Sequence, residues 1–477
     1  MRSPAAPLLL VTLLFAGGPW SCYKPDLSGT GGFKCSDGTC PEGYVCSAQK
    51  TCVKGSAPPK TDGAAVDGMK RDGAGSDQRA PDRGVGDGAA PPRCTLGATA
   101  LVTPDYVQGG EPAFGLGYDE PNGQVVVVYG TAGTPAALSM AVTNKGQWQA
   151  PIAFGAAAGN FMSVSSNRGS VVVGFQDGAN QRNARVFFSA TKMFHDLDGA
   201  PGSGAFVTLH SAGNKDEVGA LYQSQVPSAP GSTTMMPGLK LQVFSRTGQP
   251  APNPSGGQPV PTPAGVKVFG PMAALALEAG ATPAAHVAYL GFTGPAPAGG
   301  AVYYDLRPMN GNWAGSRRLA VVDKVPLDHQ GIGLALRAGH QGLQAAQLVF
   351  PVWDDKASNT LLAFQPAAGT AAPVEFPGPT PSQGAQRPTL VTQGQSQVIA
   401  YVRGGDGAVV VSGRRSVGDP WEAPLLAHLD PANRAERVAL VSGGTAGTTA
   451  LFEIVYRHRE GSRYRLTHRN LRCMTNP

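Results

Sequence analysis

One short unit recurs through the last four fifths of the chain and limits its fold more than any other feature. The clearest copies are Gly123-Gln-Val-Val-Val-Val-Tyr129, Ser396-Gln-Val-Ile-Ala-Tyr401 and Ala450-Leu-Phe-Glu-Ile-Val-Tyr456. Each is an apolar, β-branched run ending in an aromatic residue and bounded by glycine or polar turn residues. That composition suits a buried strand better than a helix. Shorter copies end at Phe175, Tyr222, Tyr289 and Phe350.

Each copy sits inside a larger cycle. A strand of small residues precedes it, as in Gly331-Ile-Gly-Leu-Ala-Leu and Glu436-Arg-Val-Ala-Leu-Val, and small side chains suit an innermost strand where neighbours converge on an axis. An alternating strand follows it, as in Leu239-Lys-Leu-Gln-Val-Phe, and a fourth often follows a tryptophan (Trp148, Trp313, Trp421). Antiparallel four-stranded units of about 45 to 65 residues, repeated about seven times, predict an all-β fold of the β-propeller type. A length of 477 residues exceeds one ordinary core. The 65 glycines, 42 prolines and 15% charged residues fit many short strands joined by turns. The Pro-rich insert over 227–263 blurs one cycle, so the count stands between six and eight blades, with seven expected.

The propeller domain is expected over 94–477. Its last cycle offers Val438-Ala-Leu-Val, Leu451-Phe-Glu-Ile-Val-Tyr and Tyr464-Arg-Leu-Thr-His-Arg-Asn-Leu, but no fourth strand. Ala98-Thr-Ala-Leu-Val-Thr103 can supply it from the other end of the domain. That closure puts Cys94 beside Cys473 and predicts a disulfide between them.

The chain opens with Arg2 and an apolar run over 5–16, the length of a signal-peptide core and too short to span a bilayer, so residues 1–21 are read as a signal peptide. Pro19-Trp-Ser-Cys22 resembles the lipobox of bacterial lipoproteins, which implies acylation of Cys22. The seven cysteines agree, because removing Cys22 leaves an even number for an oxidising compartment. Cys35, Cys40, Cys46 and Cys52 lie in a module over 22–54 too small for a core of its own. Three pairings are open, the interleaved Cys35–Cys46 and Cys40–Cys52 being favoured. A zinc site is the alternative, without close cysteine pairs or a nearby histidine to favour it. The opening from Cys22-Tyr-Lys-Pro to Cys40-Pro-Glu-Gly-Tyr-Val-Cys46 resembles surface lipoproteins of myxobacteria and related bacteria. That resemblance implies export to the outer membrane or cell surface, Tyr23 standing where inner-membrane retention signals carry Asp. Residues 55–93, rich in Gly, Ala, Pro and Asp, read as a flexible tether. Their Asp-Gly pairs lack the periodic ligands of a calcium loop.

Chemistry is marked mainly by what is missing. His-Glu-x-x-His, Gly-x-Ser-x-Gly, phosphate-cradling and dinucleotide motifs do not occur. The acid pairs Asp119-Glu120, Asp216-Glu217 and Asp354-Asp355 fall at strand ends or turns, where neighbours point apart. His210 and His286 read as packed strand residues. The turns Asn144-Lys-Gly-Gln-Trp148, Asn310-Gly-Asn-Trp313 and Val417-Gly-Asp-Pro-Trp421 are loosely similar to those of sialidase-like propellers, without the complete motif, so no catalytic residue is carried over. Their tryptophans are expected to pack between blades. One charge run stands out: Arg457, Arg459, Arg463, Arg465, Arg469 and Arg472, with Arg463 and Arg465 on one strand face. A solvated sheet edge is favoured for it over an acidic polysaccharide or lipid headgroup. The net charge of +6 is too dispersed for a nucleic-acid partner. The expected function is a lipid-anchored, non-enzymatic surface propeller for a protein or glycan ligand, without cofactor or metal. The alternatives are a glycan-active hydrolase or lyase and a purely structural envelope protein.

Overall fold

The computed structural model describes the strands Tyr44–Cys46 and Cys52–Lys54 and residues 93–475, apart from short segments such as 198–206, 250–256 and 374–383. The chain divides into two compact units, Met1–Asp87 and Gly88–Pro477. In the first, the two short strands pair antiparallel with Cys46 opposite Cys52. The signal segment, Cys22, Cys35, Cys40 and residues 55–92 lie outside the described residues.

The second unit is a seven-bladed β-propeller, and its described residues contain no α-helix. Blade 1 comprises Phe114–Asp119, Gln124–Gly130, Ala137–Asn144 and Gln147–Trp148; blade 2 comprises Ile152–Asn167, Ser170–Asp177, Ala184–Phe188 and Met193–Asp196. Blade 3 is Val207–Ser211, Glu217–Pro227, Met235–Ser245 and Gln258–Pro259, and blade 4 is Lys267–Leu277, Ala284–Phe292, Gly300–Pro308 and Arg317–Val321. Blade 5 is Gly333–Leu336, Ala346–Trp353, Asn359–Gln365 and Thr370–Pro373; blade 6 is Ala385–Gln393, Ser396–Arg403, Val409–Arg414 and Leu425–His428. Blade 7 takes Ala435–Ala446, Thr449–Glu460 and Arg463–Met474 from one end of the domain and Cys94–Leu96 with Ala100–Leu101 from the other. First strands of successive blades lie side by side, and Ala435–Ala446 against Phe114–Asp119 completes the circle.

The recurring aromatics explain why a ring forms. Tyr129, Phe175, Tyr222, Tyr289, Phe350 and Tyr401 are fully buried and Tyr456 is 2% exposed. Each packs onto the preceding blade: Tyr222 with Phe188 and Val186 of blade 2, Tyr401 with Val349 and Leu361 of blade 5, Tyr129 with Val455 and Leu466 of blade 7. The apolar interior is thus a set of interblade layers, one per seam. The second strands are apolar on both faces, and only a closed circle covers both faces of every sheet. Near the axis the first strands crowd. A Cβ on Gly333 would lie 2.8 Å from the Leu390 backbone nitrogen of the next blade.

The Pro-rich insert resolves into blade 3. Glu217–Pro227 and Met235–Ser245 pair along their whole length, and Gln258–Pro259 adds the fourth strand. The fourth strand expected at Trp148 is the short Gln147–Trp148, and the apolar residues after it begin a long strand, Ile152–Asn167. Its start pairs with blade 1 (Met140 opposite Ile152) and its remainder with blade 2, so the two blades form one continuous sheet. The glycines and alanines over 155–159 carry this strand from one blade to the next.

The closing strand begins at Cys94, earlier than the expected residue 98. Gly97 interrupts it, donating its N–H to Asn470 O at 2.8 Å. Cys94 stands opposite Cys473 and is disulfide-bonded to it, with Cα atoms 4.1 Å apart and a sequence separation of 379. The bridge is buried against blade 6, in one cluster with Val398, Val411 and Ala427. Arg93, read as the last tether residue, is also buried. Its Nε donates to Met474 O at 2.5 Å and its Nη2 to Ser396 Oγ at 2.9 Å.

Candidate functional site: the arginine-bearing rim of blades 6 and 7

In a four-stranded antiparallel blade, the start of the first strand, the end of the second, the start of the third and the end of the fourth reach the same edge of the ring. In blade 7 that edge receives Glu436 and Arg437, then Arg457, His458 and Arg459, then Arg463 and Arg465. Blade 6 adds Arg387, Arg403 and His428. The basic run of the sequence thereby meets arginines from elsewhere in the chain.

Glu436 ties the inner part of this rim together. Arg387 Nη1 donates to its carbonyl oxygen at 2.8 Å, and Arg457 Nη2 to its Oε2 at 3.1 Å. Arg457 is only 1% exposed, so its charge depends on that carboxylate and on Tyr464, whose ring lies 4.8 Å from the guanidinium carbon. Arg387 has φ of 50°, in the left-handed region that non-glycine residues seldom occupy. It sits at the register shift between Gln386 and Thr389, where the first strand of blade 6 bends.

The outer part is built on Tyr106. The guanidinium carbons of Arg463 and Arg465 lie 4.7 and 3.8 Å from its ring centre, so the two do share one strand face. Arg465 Nε donates to Glu460 Oε2 at 2.9 Å. Hydrogen bonds from Arg465, then from Tyr106, hold the Glu460 carboxyl below its ordinary range. Arg403 does the same to Asp406. The rim carboxylates Glu436, Asp406 and Glu460 are each engaged by an arginine. Arg459 and Arg463 are exposed and pair with no carboxylate among the described residues.

A second, less polar layer lies beneath. The His428 ring packs 5.0 Å from Tyr456 and 5.3 Å from His458. His458 Nε2 is 3.1 Å from Thr467 Oγ1, and burial, followed by the neighbouring His428, pulls its pKa down. Chemically the arrangement offers fixed cations and aromatic faces, which suits recognition of an anion.

The other sequence candidates stand apart from this rim. Asp119 ends a strand and accepts from Asn122 Nδ2 at 2.7 Å, while Glu120 opens a short 3-10 turn. Glu217 begins a strand; Asp216, Asp354 and Asp355 lie outside the described residues. His210 is on Val207–Ser211, its side chain outside the description. His286 is fully buried in blade 4. Its Nε2 lies 2.8 Å from Glu278 Oε1 and its Nδ1 2.6 Å from the Tyr304 hydroxyl, so both ring nitrogens are engaged within the blade. The three tryptophans pack at seams, Trp148 between blades 7 and 1, Trp313 between 3 and 4, and Trp421 between 5 and 6. Arg469 is used structurally, donating to Gly97 O and Ala427 O at 2.9 Å each. Arg387, Glu436 and Tyr106 were missed as rim residues. The one local signal was the departure of Gln386-Arg387 from the small-residue pattern of a first strand.

No protein-family model and no curated protein sequence matches the chain. Among solved structures it is similar to the polysaccharide lyase Uly1, at 10% identity over 80% of this chain and 100% of that one, TM-score 0.47. It is also similar to the subtype N11 neuraminidase-like protein of A/flat-faced bat/Peru/033/2010 (8%, 81% and 94%, TM-score 0.40). A third is Penicillium chrysogenum alpha-L-arabinanase complexed with arabinobiose (10%, 78% and 98%, TM-score 0.41). At such identities no residue role passes from these proteins to this chain.

Proposed function

We propose that this chain is an exported surface protein, anchored through acylated Cys22, whose propeller binds an acidic glycan on the rim of blades 6 and 7 without turning it over. The observation that carries the reading is the rim's charge balance. Glu436, Asp406 and Glu460 are each engaged by an arginine and Asp105 and Asp430 are not, while Arg459 and Arg463 remain exposed, Arg463 beside the aromatic ring of Tyr106.

The test is binding of polygalacturonate, with a neutral glucan as control, across a salt series. Polygalacturonate is expected to bind at low salt and to weaken as screening increases. The double variant Arg459→Glu, Arg463→Glu should lose at least tenfold in affinity. Equal binding by that variant would sink the proposal. Release of reducing or unsaturated ends would move the reading to the enzyme alternative, and capture only of an acidic protein would move it to a protein ligand.

A further inference from the structure

At the opposite end of the same blade, the seam between blades 7 and 1 holds a cavity of about 480 Å³, within the range of small-molecule sites. Both ends of the propeller chain build it. Thr95, Leu96, Ala98, Thr99 and Ala100 come from the closing strand, His468, Asn470 and Arg472 from the last strand, and Gly146 from a blade 1 turn. Residues 468, 470 and 472 alternate along their strand and so share one face.

The polar groups there are arranged beyond what packing requires. Glu453, 8% exposed, fixes His468 through an Oε2 to Nε2 contact of 2.7 Å and so orients a ring that lines the cavity. Trp148 stands edge-on to His468 at 5.3 Å, and its buried indole N–H has no hydrogen-bond partner. Asn470 Oδ1 is buried and likewise unpartnered. Gly97 makes room for that oxygen, because a Cβ at Gly97 would lie 1.8 Å from it. Arg472 is exposed at the mouth with no carboxylate partner among the described residues.

We infer that this seam cavity binds a sugar acid. Arg472 takes the carboxylate and His468, held by Glu453, meets a ring hydroxyl, with Asn470 lining the wall between them. Thr95 and Thr99 line the remainder. The inference is independent of the rim: Arg463 and Arg472 lie about 30 Å apart along one extended strand.

Isothermal titration of the full-length protein with sodium glucuronate, glucose and sodium acetate tests it. Glucuronate should bind saturably, with the other two at least tenfold weaker. Arg472→Ala should lower glucuronate affinity at least tenfold, and Thr99→Trp, which fills the mouth from an exposed position, should abolish it. Arg318→Ala, on an exposed position of blade 4 across the ring from this seam, should leave it unchanged. Circular dichroism and thermal melting would establish that each variant folds. Acetate binding as well as glucuronate, no glucuronate binding, or loss only in Arg318→Ala would each overturn the assignment.

Discussion

Replacing both clasp cysteines, Cys94→Ala with Cys473→Ala, isolates the contribution of ring closure. With a sequence separation of 379, the bond lowers the entropy of the unfolded chain by about 20 cal/mol/K, or about 6 kcal/mol at 25 °C. Residual denatured structure reduces that figure, while loss of two buried sulfurs packed against blade 6 adds to the damage. The native ring should survive. Met474 N donates to Arg93 O at 3.0 Å, Gly97 N to Asn470 O at 2.8 Å and Val102 N to Leu466 O at 3.0 Å, all without the sulfurs. Urea unfolding followed by tryptophan fluorescence should therefore give a folded variant that is about 3 to 6 kcal/mol less stable. Its denaturant slope should be steeper, because an uncrosslinked unfolded chain exposes more surface. The variant is preferable to a reducing agent, which would also reach Cys35, Cys40, Cys46 and Cys52. A loss below about 1 kcal/mol with unchanged slope would refute the entropic account. Free thiols at both positions in the native protein would remove the clasp itself.

Three further perturbations follow from the packing and the buried ionisable groups. Trp421→Ala empties a site between blades 5 and 6 where the Arg414 guanidinium lies 4.5 Å from the indole, and should cost about 3 to 5 kcal/mol by denaturant titration. Burial pushes the Tyr401 hydroxyl well above the ordinary value near 10, so above about pH 10 the unfolded chain ionises first and stability falls as pH rises. Tyr401→Phe should move alkaline unfolding, read by circular dichroism, to higher pH than in the parent. Burial depresses His458, so its contribution is present above the unfolded value near 6.5 and is lost as pH falls through it. His458→Gln should flatten the stability profile between pH 7 and 5, and an unchanged slope there would contradict the burial argument.

The fold was readable because its determinants are local. Each buried strand announces itself by β-branched residues and a terminal aromatic, and the incomplete last cycle points to the strand that completes it. The clasp follows from the same reasoning. Boundaries were harder where composition is neutral. The small residues over 155–159 fit a turn or a strand, and pairing with both neighbouring blades decides for the strand. The sites were less legible still. The run from Arg457 to Arg472 was visible, but its partners Arg387, Tyr106 and Glu436 arrive through tertiary contacts. The same run also serves different ends, since Arg457 is buried, Arg469 braces Gly97 and Arg472 opens onto another cavity. The seam cavity depends on the break at Gly97, and a glycine among small residues gives no sign of which side chain will occupy the space beside it.

The shared last blade also sets the order in which this protein can fold. During synthesis the strand Cys94–Leu96 emerges long before Arg463–Met474, and the pairing it needs is among the most sequence-distant in the domain. Until then it remains an unsatisfied edge carrying a free thiol, while blades 1 to 6 can each assemble from contiguous chain. Closure is therefore the late step, and the interval before it is when the chain is most open to strand exchange with a second copy or to a wrong disulfide with the cysteines upstream.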